Sequence, residues 1–202
     1  QLIKNYRLSA KYDREYNYDN SLKMSAIQAY FTFLTVYNTN VFYNYEYDFY
    51  NSHLMSDFKD YINHYSRLSS RPFEFMDIQM SYAWGKDIAY REAIPKLGIR
   101  SNLDFKMAVN INNNLRLTPS INFEKLKKID SEEYFFDGYI ARLDLRYQFN
   151  TALNFRVISE YNEFTDKFFV QPLISWRPNP DTIFYFGGNQ NYVDEFIDYN
   201  SP

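Results

Sequence analysis

Leu97-Gly98-Ile99-Arg100-Ser101-Asn102-Leu103-Asp104-Phe105-Lys106-Met107-Ala108-Val109-Asn110-Ile111 is the stretch that decides the fold. Apolar side chains take every second position, broken only by Ser101. Gly98, Arg100, Asn102, Asp104, Lys106, Ala108 and Asn110 fall between them. Period two sends successive side chains to opposite faces of a β-strand. After Asn112-Asn113-Asn114 the pattern restarts, with Leu115, Leu117, Pro119, Ile121 and Phe123 against Arg116, Thr118, Ser120, Asn122 and Glu124. It returns as Ala141, Leu143, Leu145, Tyr147 and Phe149 against Arg142, Asp144, Arg146 and Gln148. Asn150-Thr151-Ala152 turns the chain, and Leu153, Phe155, Val157 and Tyr161 alternate with Asn154, Arg156 and Glu160.

The two faces differ in an informative way. One carries Arg and Asp at successive positions over long strands, and the other is rich in aromatic and aliphatic side chains. A sandwich turns its apolar side to a packed core. A transmembrane barrel turns it to lipid and its polar side to an enclosed watery lumen. The pattern points to the second: an all-β, antiparallel, up-and-down transmembrane β-barrel, or a large part of one. Such a barrel has about ten strands here, short periplasmic turns and longer extracellular loops.

Working outward, residues 3–16 alternate and predict a strand. Residues 27–37 and 41–49 predict a hairpin folded at Thr39, with both apolar sets on one face. Residues 51–72 break the pattern and leave a loop, a short helix or a strand open. The up-and-down parity of the neighbours asks for a hidden strand there. Met76 to Trp84 alternate, and Gly85-Lys86-Asp87 is expected to end that strand. Phe168–Trp176 and Thr182–Gly188 predict two more, joined through Arg177-Pro178-Asn179-Pro180-Asp181, with 162–167 a turn and 189–202 a loop. Residues 85–96 and 125–138 are the expected long loops. The whole of 1–202 is taken as one region.

The 202 residues hold 21 Tyr, 19 Phe and 2 Trp, and Tyr suits a membrane–water boundary because its ring is apolar and its tip polar. No Cys is present, which removes disulfides and thiol chemistry. A net charge of -3 argues against a nucleic-acid partner, which usually meets a basic excess. The mean hydropathy of -0.55 hides a barrel, because half of each barrel strand is polar. No run approaches the roughly 18 apolar residues of a transmembrane helix. No signal peptide opens the chain at Gln1, so an exported chain is expected here in mature or truncated form.

The candidate functional side chains are those of the polar face: Arg100, Asp104, Lys106, Arg116, Arg142, Asp144, Arg146, Arg156 and Glu160. A hairpin folded at Thr151 sets Arg142 opposite Glu160 and Arg146 opposite Arg156. Facing like charges are unfavourable unless water or an anion lies between them. These groups form either a selectivity surface in a pore or a network that only hydrates and fills the interior. Leu103, Phe105, Leu143, Leu145, Tyr147, Phe155 and Val157 are the expected lipid-facing residues, with Trp84 and Trp176 in girdles at strand ends. Asp130, Glu132, Glu133 and Asp137, and likewise Asp194, Glu195 and Asp198, have oxygen ligands for calcium but lack EF-hand spacing, so solvated loops are the simpler account. His53 and His64 lack a zinc-ligand pattern. No nucleophile, phosphate-loop or dinucleotide motif occurs, so no catalytic residue, metal or cofactor is assigned.

Gly138-Tyr-Ile-Ala-Arg-Leu-Asp-Leu-Arg-Tyr-Gln-Phe-Asn150, Leu153-Asn-Phe-Arg-Val-Ile-Ser-Glu-Tyr-Asn162, Pro172-Leu-Ile-Ser-Trp-Arg-Pro-Asn-Pro180 and Thr182-Ile-Phe-Tyr-Phe-Gly-Gly-Asn189 carry a resemblance. They resemble the C-terminal barrel of an uncharacterised envelope family. Its members pair an N-terminal carbohydrate-binding-like domain with a C-terminal outer-membrane barrel. Trp84-Gly-Lys-Asp-Ile-Ala-Tyr90 stands where that family has a similar loop. The resemblance implies the outer membrane of a Gram-negative bacterium, outer-membrane lipid and other envelope proteins as partners, and a carbohydrate connection through the domain that this stretch lacks. It carries over no catalytic residue.

Three functions stay open. The first is a pore, transport subunit or scaffold of an envelope complex. The second is a soluble β-sandwich or lectin-like module whose aromatics form a core. The third is a barrel-borne hydrolase with acids such as Glu160 or Glu133 as acid and base.

Overall fold

The computed structural model describes residues 3–36, 38–53 and 56–193. They form β1 (Ile3–Tyr16), β2 (Leu22–Thr35), β3 (Asn40–His53), β4 (Ser56–Phe73), β5 (Met76–Ala89), β6 (Lys96–Asn110), β7 (Leu115–Lys128), β8 (Tyr134–Gln148), β9 (Leu153–Asn162), β10 (Lys167–Asn179), β11 (Thr182–Gly187) and β12 (Gln190–Val193). Neighbours in sequence are neighbours in the sheet from β1 to β11, and β12 pairs with β10. The chain therefore adopts the expected all-β, antiparallel, up-and-down class.

The open segment 51–72 holds β4, and parity had asked for a strand there. Its side chains alternate poorly, yet it pairs with β3 from Asn40↔Ser69 to His53↔Ser56. The strand is imposed by its neighbours rather than by its own pattern. The strand expected to end at Gly85 continues to Ala89. Gly85 takes φ 126°, a backbone state closed to side chains, and a Cβ there would strike the Ile62 carbonyl. Here Gly marks a kink inside a strand, not its end. Trp84 consequently lies inside β5, whereas Trp176 lies near the end of β10.

The connections are more even than expected. Strand growth shortens 85–96 to 90–95 and 125–138 to 129–133. The β2–β3 hairpin pairs Phe33 with Val41 and so turns two residues before Thr39, which leaves the faces unchanged. The β8–β9 hairpin has the predicted register, Arg142↔Glu160 and Arg146↔Arg156.

Beyond Trp176 the last strands share one register. Leu173 pairs with Gly187 in β11 and Val170 with Gln190 in β12, so the two are collinear partners of β10. The break falls opposite Pro172, which has no N–H for the ladder; Gly188 N–H donates to the Pro172 carbonyl at 3.3 Å.

The chain packs as two compact units, Gln1–Lys106 with Asn122–Gly138, and Met107–Ile121 with Tyr139–Pro202. Strands β6, β7 and β8 contribute to both.

Candidate functional site

Register assigns the faces in each unit. In the first, Leu8, Phe31, Tyr43, Ser66 and Tyr82 lie across one row. Ala10, Ala29, Tyr45, His64 and Trp84 lie across the next, and Tyr6, Phe33, Val41, Leu68 and Met80 across a third. In the second, Tyr147, Phe155, Ile174 and Phe186 lie across one row, and Leu153, Trp176 and Phe184 across another.

These apolar rows stay open. Tyr6 is 75% exposed, Leu8 65% and Phe186 58%. None of Leu103, Phe105, Leu143, Leu145, Tyr147, Phe155 and Val157 is buried. The buried residues Asp48, Tyr61, Ala83, Ala108, Leu126 and Ile158 stand out of phase with the rows, on the polar side. Phe58, Tyr61 and Ile88, with Leu97 against them, form a small core in the first unit, next to the positive φ of Asp60 and Gly85. Leu126 covers Gly98, where a Cβ would come within 2.8 Å of Leu126 Cδ1. In both units buried residues stand on the polar side, although Lys106, Arg116, Arg142 and Arg146 on that side are exposed.

The first unit's polar side is rich in acceptors. Asp48 is 4% exposed and has no cation partner among the described residues; its hydrogen-bond partner is Tyr61, whose hydroxyl also accepts from Asn51 Nδ2 at 3.0 Å. Glu46 accepts from Gln28 at 2.6 Å. Asn44 Oδ1 and Asn63 Oδ1 are buried with no partner. Nearby, Arg100 pairs with Asp87 at 2.8 Å, and Asp104 accepts from Ser81 and Asn122. Lys106 and Arg116 are exposed.

The second unit's polar side is rich in donors. Arg142 pairs with Glu160 at 3.1 Å. Asp144 lies between the two facing arginines: Arg146 donates Nε and Nη2 to it at 3.1 Å each, and Arg156 Nη2 donates at 2.8 Å. That carboxylate answers the like-charge problem posed by the register, since charge-assisted bonds to a shared acid offset the repulsion. Sequence reasoning paired the arginines but did not place Asp144, which bonds Arg146 along β8 and Arg156 diagonally across the hairpin.

The acidic loop resolves into pairs. Lys127 meets Glu132 and Lys128 meets Glu133 at 2.5 Å each, and Lys125 meets Asp137 at 2.9 Å. Lys128 holds the Glu133 carboxyl below its ordinary range, chiefly through their hydrogen bond. No metal-holding group of three His, Cys, Asp or Glu occurs among the described residues. His64 instead stacks on Trp84 at 4.9 Å between centroids, and its Nδ1 lies 2.7 Å from the Tyr43 hydroxyl, on the apolar face. Asp194, Glu195 and Asp198 fall outside the described residues. No protein-family model matches the chain, and neither does any curated protein or solved structure.

Proposed function

We propose that this chain is part of an outer-membrane β-barrel of a Gram-negative bacterium, acting as a pore, transport subunit or scaffold of an envelope complex. One observation carries the reading: Asp48, Tyr61, Ala83, Ala108, Leu126 and Ile158 are buried on the charged side, and no residue of the aromatic rows is buried. In water that arrangement leaves large apolar patches exposed, which soluble proteins avoid. Facing hydrocarbon, each open apolar side chain is in its preferred medium, and the arginines and carboxylates face enclosed water. A lectin-like sandwich would bury the opposite face. A link to carbohydrate handling rests on the family resemblance alone.

The lack of Cys makes the test clean. Single variants Leu143→Cys, Ile174→Cys and Arg146→Cys are labelled with bimane after reconstitution in vesicles. Brominated lipid is expected to quench the first two and aqueous iodide the third. Equal quenching of Leu143→Cys and Arg146→Cys by brominated lipid overturns the reading. So does a chain that stays monomeric in detergent-free buffer.

A further inference from the structure

Within its strands the second unit carries more cations than acids. Its strands carry Arg116, Arg142, Arg146, Arg156, Lys167 and Arg177 against only Asp144 and Glu160. Arg142 and Glu160 neutralise each other. Asp144 satisfies one charge of the pair it bridges. Arg116 is exposed and has no ion-pair partner among the described residues.

Arg116 belongs to the same level as that pair. Gln148 N–H donates to the Asn114 carbonyl at 2.8 Å, which marks these two as partners across β7 and β8. Two residues further into each strand, antiparallel pairing sets Arg116 across from Arg146, and Arg146 is across from Arg156. All three fall on the polar side. Adjacent strands are about 4.8 Å apart, so the three guanidinium stems start within a span of about 10 Å. Ile111 N–H donates to the Leu115 carbonyl at 2.9 Å, and the same counting brings Asn110 beside Arg116. The level thus reads Asn110, Arg116, Arg146, Arg156, with one carboxylate for three cations.

We infer that this level binds a small tetrahedral oxyanion, phosphate or sulfate, dissolved in the water on the polar side. Each guanidinium has five N–H donors, and Asp144 uses only Nε and Nη2 of Arg146 and of Arg156. The outward donors remain, and Arg146 keeps 59% of its side chain exposed. Planar guanidinium forks match the oxygen spacing of such anions bidentately, which lysines would not do. Asp144 acts as a positioning residue: it holds two like charges together and aims their free edges at one place. The inference rests on the proposed watery character of this face.

The test is equilibrium dialysis of the detergent-solubilised protein with radiolabelled inorganic phosphate at low salt, beside the variants Arg116→Gln, Arg146→Gln and Arg142→Gln. Each variant is checked for unchanged heat-dependent gel migration. Arg116→Gln and Arg146→Gln are expected to weaken binding about tenfold each, and Arg142→Gln to leave it within twofold. No saturable uptake by the unaltered protein overturns the inference, as does an equal loss in Arg142→Gln, which would mean diffuse charge. Glycerol phosphate is expected to displace the label. Displacement only by a short-chain phosphatidylglycerol reassigns the level to a lipid headgroup and also overturns it. The bimane measurement fails or succeeds independently, so a lost membrane assignment and a lost anion site remain distinguishable.

Discussion

The two units build the same face by opposite chemistry. The first buries Asp48 without a cation and leaves the acceptor oxygens of Asn44 and Asn63 unanswered, and an apolar cluster of Phe58, Tyr61, Ile88 and Leu97 holds that side together. The second buries Ala108 and Ile158 there and leaves Asn162 Oδ1 unanswered, with guanidinium–carboxylate bonds around Asp144 beside Ile158. A shared up-and-down topology therefore does not dictate how the covered side is stabilised. Packing does it around Phe58 and Leu126 and ionic bonding around Asp144, so those two clusters should respond differently to cavities and to salt.

The largest expected effect is in the first unit. Leu126→Ala empties a position 2% exposed and should cost about 3 kcal/mol, read as a lower denaturation midpoint that salt does not alter. Gly85→Ala should cost about 2 kcal/mol or more, because φ 126° and the Ile62 carbonyl both oppose a Cβ. An unchanged midpoint for Gly85→Ala would mean that the kink in β5 is not required.

The second unit is probed by Asp144→Asn, which removes the shared acid and leaves Arg146 facing Arg156. A loss of about 1–2 kcal/mol is expected, most of it recovered in the double variant Asp144→Asn/Arg156→Gln. Additive losses in that cycle would show that the repulsion is not what Asp144 relieves. The hairpin around Asp144 should lose more stability than the cluster around Phe58 and Tyr61 on going to 1 M salt, where the screening length falls to about 3 Å. Hydrogen exchange resolved by strand would show the difference, with β8 and β9 opening before β3 and β4.

The smallest effect concerns the β7–β8 loop. Glu133 titrates below its ordinary range when folded, so the pair with Lys128 stabilises the loop above the unfolded carboxyl pKa. That contribution disappears as pH falls through the folded value. Protection factors of the amides at 129–133, taken relative to the intrinsic exchange rate at each pH, should therefore fall on acidification in the unaltered protein and stay constant in Glu133→Gln.

Particular elements show what could be read in advance. Strands β6 to β9 were legible because their alternation is nearly unbroken, and the turn at Asn150-Thr151-Ala152 set the β8–β9 register to the residue. Strand β4 was not, because Asp60 at φ 52° and its polar, aromatic mixture spoil the period while thirteen pairings to β3 hold the strand in place. Gly85 misled in the other direction, since one residue type serves both turns and kinks. The acidic loop suggested ligands, but Lys127 and Lys128, which the sequence reading placed in that loop, stand at the end of β7 and neutralise it.

Alternation along the chain determined by itself that this protein is a meander of antiparallel strands with one greasy and one charged side, because side-chain direction in a strand is a local matter of backbone geometry. Only the tertiary structure decided which side holds the buried residues, that Asp144 joins two facing arginines, and that Asp48 is buried without a cation among the described residues. Those outcomes depend on diagonal and cross-strand neighbours, and burial is a property of the surroundings that no single strand carries.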